Sequence, residues 1–237
     1  MSSFQGLVRR NIVNVDTQFE KIAYAASNVA NYNTTGYKEV RFEQMLDENG
    51  YLNGAIRKDY APGSAWKTGA PFDVAIKGVG FIPVTSKNGD VKYTREGNFK
   101  VDKDGYLMTN DGYLVGDGIK IPANYYAVNF KPSGDVAVVS ENGKPEQIIG
   151  KIPLVNFRNP EGLKSVDGNK YLVTSESGEP ILMKKHTNII QGALERSNVN
   201  IYTQVNDVMR TNASMLASFK LMKTIDDMYN KSINIQQ

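Results

Sequence analysis

The stretch Ser27–Leu46, SNVANYNTTGYKEVRFEQML, decides how this chain is built. Its first residues continue a helical pattern, Asn31 to Thr35 are mostly turn formers, and after Gly36 the residues Tyr37, Val40 and Phe42 are interleaved with charged ones. Asn and Thr side chains compete for backbone hydrogen bonds, and Gly admits a left-handed backbone, so a helix ends here. The stretch is either a loop that holds a ligand or the joint between a helical tail and a different kind of domain. The flanking residues favour the joint.

On the N-terminal side, Ile12, Val15, Phe19, Ile22, Ala26 and Val29 step by alternating threes and fours, a heptad stripe that Phe4 and Val8 extend backward. A helix of about 27 residues would span about 40 Å. At the other end Ile201, Val205, Val208, Asn212, Met215, Phe219, Met222, Asp226, Tyr229 and Ile233 alternate in the same way, with Asn212 and Asp226 the polar members. Ser197 or Asn198 is placed to cap that helix. A stripe this narrow is too apolar to leave in water, so each terminal helix needs a partner along its length. The two termini are the obvious pair, a coiled-coil-like stem. Beside it Leu7, Ala23 and Ala30, and Leu216, Ile225 and Met228, remain as contact surface for other subunits. The competing reading packs both helices on the central domain.

Between the ends the period falls to two. Phe72, Val74 and Ile76 alternate with Asp73 and Ala75, and the same spacing recurs at Val91, Tyr93 and Arg95, at Val136 and Val138, and at Ile152 and Leu154. Asn88-Gly89, Asp104-Gly105, Asp111-Gly112, Asp117-Gly118, Ser133-Gly134, Asn142-Gly143 and Asp167-Gly168 punctuate the pattern. Such pairs tolerate the positive φ of tight hairpins, which predicts an antiparallel β domain of short strands. The expected fold is α+β: N-terminal stem helix over 1–32, linking segment over 33–70, β-rich outer domain over 71–196, C-terminal stem helix over 197–237.

Composition narrows the function. With 237 residues, 41% of them hydrophobic, the chain can bury a core. Its 28 basic and 25 acidic side chains leave +3 without clusters beyond pairs such as Arg9-Arg10 and Lys184-Lys185, too little to bind nucleic acid. There is no cysteine, hence no disulfide or catalytic thiol. The N-terminus lacks an uninterrupted apolar run of the secretory type, and no window approaches a membrane span. His186, the only histidine, follows two lysines and reads as a surface residue. Residues 101–112 resemble a calcium loop, but Gly105 follows Asp104 at once and Tyr106 sits where the third ligand belongs, and residues 77–83 lack the third glycine of a dinucleotide loop. The sequence therefore points to no catalytic residue, metal, cofactor or small-molecule substrate.

Four stretches together carry a resemblance. SNVANYNTTGYK (27–38), FDVAIKGVGFIPV (72–84) with YTREGNFKVDKDGYLMTNDGYLV (93–115), GKIPLVNFRNPEGLKSVDGNKYLVTSESGEP (150–180) and IIQGALERSNVNI (189–201) resemble, in order, the signatures of the bacterial flagellar axial proteins, the rod and hook subunits. The rod proteins are the nearest in course, the distal one before its proximal paralogue. GFIPV departs by placing Ile and Pro where a second Phe and an apolar residue are common. The resemblance implies a structural subunit, exported by the flagellar apparatus without a cleaved signal. It would polymerise in the periplasm with copies of itself and with other rod and hook proteins into a helical tube that transmits torque. Its helices would line the tube and its β domain face outward. The residues expected at assembly interfaces are Ile12, Val15, Phe19, Ile22, Val29, Asn31, Thr35, Gly36, Tyr37, Asn198, Val205, Val208, Met215, Phe219, Met222 and Tyr229. A rival of another class is a monomeric β module that binds cell-wall glycan, for which Trp66, Tyr60 and Tyr51 could supply an aromatic platform.

Overall fold

A computed structural model describes residues 4–166, 169–183 and 188–235. Asp167-Gly168, Lys184-Lys185 and His186 lie outside the described residues. The fold is α+β, two terminal helices and an antiparallel β domain, and by contacts the chain divides into two units.

The first unit comprises residues 1–31, 40–59 and 199–237. It contains helix α1 (Phe4–Ala30), a hairpin of β1 (Val40–Leu46) and β2 (Leu52–Lys58), and helix α2 (Ile201–Ile235). The stretch expected to be a linker over 33–70 thus contains a seven-pair antiparallel ladder from Val40↔Lys58 to Leu46↔Leu52. Its turn is an Asx turn: the Asp47 carboxylate accepts from the Asn49 and Tyr51 amides at 2.9 and 2.8 Å.

The second unit comprises residues 32–39 and 60–198. Its strands are short: β3 (Ala65–Lys67), β4 (Val74–Ile76), β5 (Ile82–Thr85), β6 (Val91–Thr94), β7 (Phe99–Val101), β8 (Leu107–Thr109) and β9 (Leu114–Val115). They continue with β10 (Ala127–Phe130), β11 (Asp135–Val139), β12 (Gln147–Lys151), β13 (Val155–Asn156), β14 (Lys164–Val166), β15 (Lys170–Leu172), β16 (Ile181–Leu182), β17 (Ile189–Gln191) and β18 (Ala193–Glu195). A seven-stranded sheet runs β14-β15-β6-β5-β9-β8-β7, a three-stranded one β10-β11-β12, and β13-β16, β17-β4 and β18-β3 pair separately.

Gly89, Gly105, Gly112, Gly118, Gly134 and Gly143 all have φ between 85° and 91°, as their Asn, Asp or Ser partners led one to expect. Ile152 and Leu154, read as strand residues, instead follow β12 on either side of Pro153, which has no amide to donate to a ladder. Both are fully buried all the same, in a core with Val74, Ile82, Leu107 and Val136. A second cluster stacks Phe81, Tyr93, Phe157 and Tyr171 edge to face, with Tyr60 against Phe81 and Tyr171.

Candidate assembly surface

In the first unit the helices run antiparallel. Gln18 Nε2 donates to Ser214 Oγ at 3.1 Å and Asn28 Nδ2 to Gln204 Oε1 at 3.0 Å, so moving ten residues along one helix moves ten residues the opposite way along the other. The covered positions on α2 are Ile201, Gln204, Val208, Thr211, Met215, Ser218, Met222 and Ile225, again stepping by threes and fours. The seam read from sequence therefore mixes two adjacent rows. Val208, Met215 and Met222 belong to the covered row, whereas Val205 (49% exposed), Phe219 (44%) and Tyr229 (50%) are open to solvent. The covered row takes Gln204, Thr211 and Ser218 because small or hydrogen-bonding side chains suit a close helix contact; a search for apolar residues passes over them.

Helix α1 divides likewise. Asn11, Val15, Gln18, Ile22, Ala25 and Val29 form one covered row, while Ile12 and Phe19 are 48% and 52% exposed. A second covered row faces the hairpin: Asn14 donates to Gly50 O at 3.3 Å and accepts from the Leu52 amide at 2.8 Å, and Thr17 Oγ1 donates to Leu52 O at 3.1 Å. Phe42 stacks on Tyr24 with ring centroids 5.5 Å apart. At the end of this row Asn28, 1% exposed, holds both the amide and the carbonyl of Val40 at 2.9 and 2.8 Å in addition to Gln204. Asn28→Ala would remove all three of these bonds. The expected cost is about 3 kcal/mol, read as a lower denaturant midpoint at unchanged m-value.

The opening stretch is a joint made by specific bonds. Asn31 Nδ2 donates to Ser27 O at 2.9 Å and so closes the last turn of α1. Gly36 carries the left-handed backbone alone, at φ 69°; among the described residues the only non-glycine with positive φ is Asn169. A Cβ on Gly36 would lie 2.9 Å from both Arg95 C and Glu96 N. The Thr35 carbonyl accepts from Asn169 Nδ2 at 3.2 Å. Tyr37 is 8% exposed. Asn198 is not the cap of α2. It accepts from the Glu39 amide at 2.7 Å and donates to Ala61 O at 3.1 Å, and Asn200 Oδ1 receives the Tyr202 and Thr203 amides at 3.0 and 3.3 Å.

Next to this joint, in the second unit, lies a buried charge cluster that sequence reading missed. The Glu195 carboxylate takes Lys38 Nζ at 2.6 Å and the Gly63 amide at 2.8 Å on one oxygen, and Arg95 Nε at 2.8 Å on the other. The three charged side chains are 0–1% exposed. Arg95 also donates to Gly80 O at 2.5 Å and Gly78 O at 2.8 Å, and Lys38 to Ala61 O at 2.7 Å. The one signal was that Lys38 and Glu195 each lie inside one of the two motifs that flank the helices.

Elsewhere the titratable groups serve local structure. Burial pushes Asp111 up, but hydrogen bonds from Lys170 and Thr109 outweigh it and hold the carboxyl below its ordinary value. Glu96 is pushed up by burial, against the pull of Lys170. The phenols of Tyr60 and Tyr171 are raised far above their usual value by burial. In the calcium-like loop, Asp102 accepts from the Asp104 and Tyr106 amides at 3.0 and 2.8 Å, an Asx turn. The proposed aromatic platform is not formed by Tyr60, which is packed edge-on in the second core; Trp66 is 51% exposed with the Arg196 guanidinium 5.2 Å from its ring centre.

What this protein offers is surface: two long helices, each with an open apolar row, on a chain whose buried Lys38 and Arg95 are bonded to the buried Glu195. That is the make-up of a structural subunit. Residues 75–138 match the family model described as the flagellar hook protein FlgE/F/G D1 domain, and residues 19–38 that of the flagella basal body rod protein. The flagellar basal-body rod protein FlgG of Buchnera aphidicola (Schizaphis graminum subspecies) is 31% identical over 92% of this chain and 94% of its own length. FlgG of Caulobacter vibrioides is 30% identical over 86% and 88%, and the rod protein FlgF of Mesorhizobium japonicum 34% identical over 74% of each chain. The chain belongs to the flagellar basal-body rod protein family.

Proposed function

We propose that this chain is a structural subunit of the flagellar rod, in the distal rod position, joining copies of itself and related axial proteins into a helical tube that carries torque from motor to hook. The observation that carries this is identity at about 30% along more than 90% of the chain to FlgG proteins. The open apolar rows support it. Ile12 and Phe19 on α1, and Val205, Leu216 and Phe219 on α2, give each copy a surface that a neighbour's helices can cover, and screw symmetry lets one such contact repeat along the tube. Val15, Ile22, Val29, Val208, Met215 and Met222 hold the pair together as a coiled-coil-like stem, and Gly36, Tyr37 and Asn198 shape the joint beside it. Residues 1–32 and 197–237 serve as the stem and 71–196 as the β-rich domain, with 33–70 linking them in sequence and contributing the hairpin to the unit of the helices.

On this reading the chain turns over no substrate, leaves the cytoplasm through the flagellar export apparatus without a cleaved signal, and works in the periplasmic part of the basal body. The same rows would serve a proximal rod or hook position. Purified basal bodies decide between the positions: immunogold labelling should fall on the distal rod segment, and labelling confined to the proximal rod or hook, or absent from the basal body, overturns the assignment.

A further inference from the structure

We propose that the Glu195 carboxylate is a clasp: it closes residues 32–39 and 193–198 onto the β core as one cooperative element, which opens as a unit while the core stays folded. Four separate pieces of chain converge on this residue. Lys38 comes from the segment after the joint, Gly63 from the stretch before β3, Arg95 from the end of β6, and Glu195 itself ends β18. The Glu195 backbone carbonyl accepts the Gly36 amide at 2.9 Å, so the residue holds the incoming chain through side chain and main chain alike. A step further out, the Glu39 amide bonds Asn198 at 2.7 Å, tying the incoming and outgoing chains to each other.

Cooperativity follows from burial. With side chains 0–1% exposed, neither cation can keep its bond if Glu195 leaves, and an unpaired charge in that environment is costly. The cheaper excursion rehydrates all the charged groups together, which releases both segments in one step. Lys38 is not equivalent to Glu195, because its loss leaves the Arg95 contact in place. The clasp thus sets when the two chains leading toward the helices are free or fixed, independently of what the helices bind.

Amide hydrogen exchange on the full chain tests this. In Glu195→Gln, which keeps the shape and removes the charge, the amides of Gly36 and Gly63 and of residues 193–196 are expected to exchange about 100-fold faster, while those of Leu107 and Val136 keep their protection. Lys38→Met should move the same amides by a smaller factor. Native exchange of the unaltered chain at low denaturant gives a second readout that does not depend on any variant folding. The amides of 36–39 and 193–196 should there share one opening free energy below that of the core. Independent opening of the two segments, exchange of both together with the core, or unchanged rates in Glu195→Gln would overturn the clasp.

Discussion

Val205→Asp combined with Leu216→Asp abolishes polymerisation and leaves the folded monomer as stable as before: that is the largest effect expected of any surface change in this protein. Both residues lie in the open row Tyr202, Val205, Met209, Leu216 and Phe219, where exposure runs from 44% to 81%. Aspartate there meets only water in the monomer, so the cost stays within about 0.5 kcal/mol. In an assembled tube the same carboxylates would be driven into an apolar contact, with a penalty of several kcal/mol per charge, at about the level that removes association altogether. The measurement is sedimentation or electron microscopy of seeded polymerisation beside a thermal melt. A double variant that melts early has damaged the helix pair instead, and one that still polymerises shows that this row is not the contact.

The second large effect lies in the β domain. Gly97→Ala is expected to destabilise the chain by about 4 kcal/mol or more. A Cβ at Gly97 would stand 1.6 Å from the Val74 carbonyl oxygen, and the backbone cannot retreat because the Val74 amide is bonded to Gly97 O at 2.9 Å. The fault is one of space, since Gly97 does not have positive φ. Gly89→Ala provides the contrast. Nothing lies within 4 Å of its Cβ position but φ is 91°, so only backbone strain of about 1 kcal/mol is expected. Denaturant unfolding of the two variants separates close approach from strain; equal losses would show that the Val74–Gly97 contact is looser than described.

Much of the architecture was readable from residue spacing. The two helices fall at Phe4–Ala30 and Ile201–Ile235, where heptad spacing put them, and the turns at Gly89, Gly105, Gly112 and Gly143 join paired antiparallel strands. These features are local, and local chemistry decides them. What escaped was non-local. The hairpin Val40–Lys58 was hidden because Glu43, Gln44, Asn53 and Arg57 dilute its alternation, and what stabilises it is α1, through Asn14, Thr17 and Asn28. The covered row of α2 was misassigned because a spacing of three or four is satisfied by two neighbouring rows. Only the hydrogen bonds of Gln18 and Asn28 reveal that Gln204 and its polar neighbours face inward. Lys38 and Glu195 lie 157 residues apart, a separation at which sequence alone carries no pairing signal. Of the expected interface residues, the sequence could identify apolar helix positions but not which of them the chain covers for itself.

Because the chain has no cysteine, a single introduced thiol is a clean reporter of what touches what. Val205→Cys, Leu216→Cys and, as the covered control, Met215→Cys, each treated with a monofunctional maleimide before and after assembly, test the account most directly. The account predicts that positions 205 and 216 react in the monomer and are protected in assembled rods, while 215 is protected in both. Fast reaction at 215 in the monomer, or unchanged reaction at 205 and 216 in rods of normal length, would contradict it.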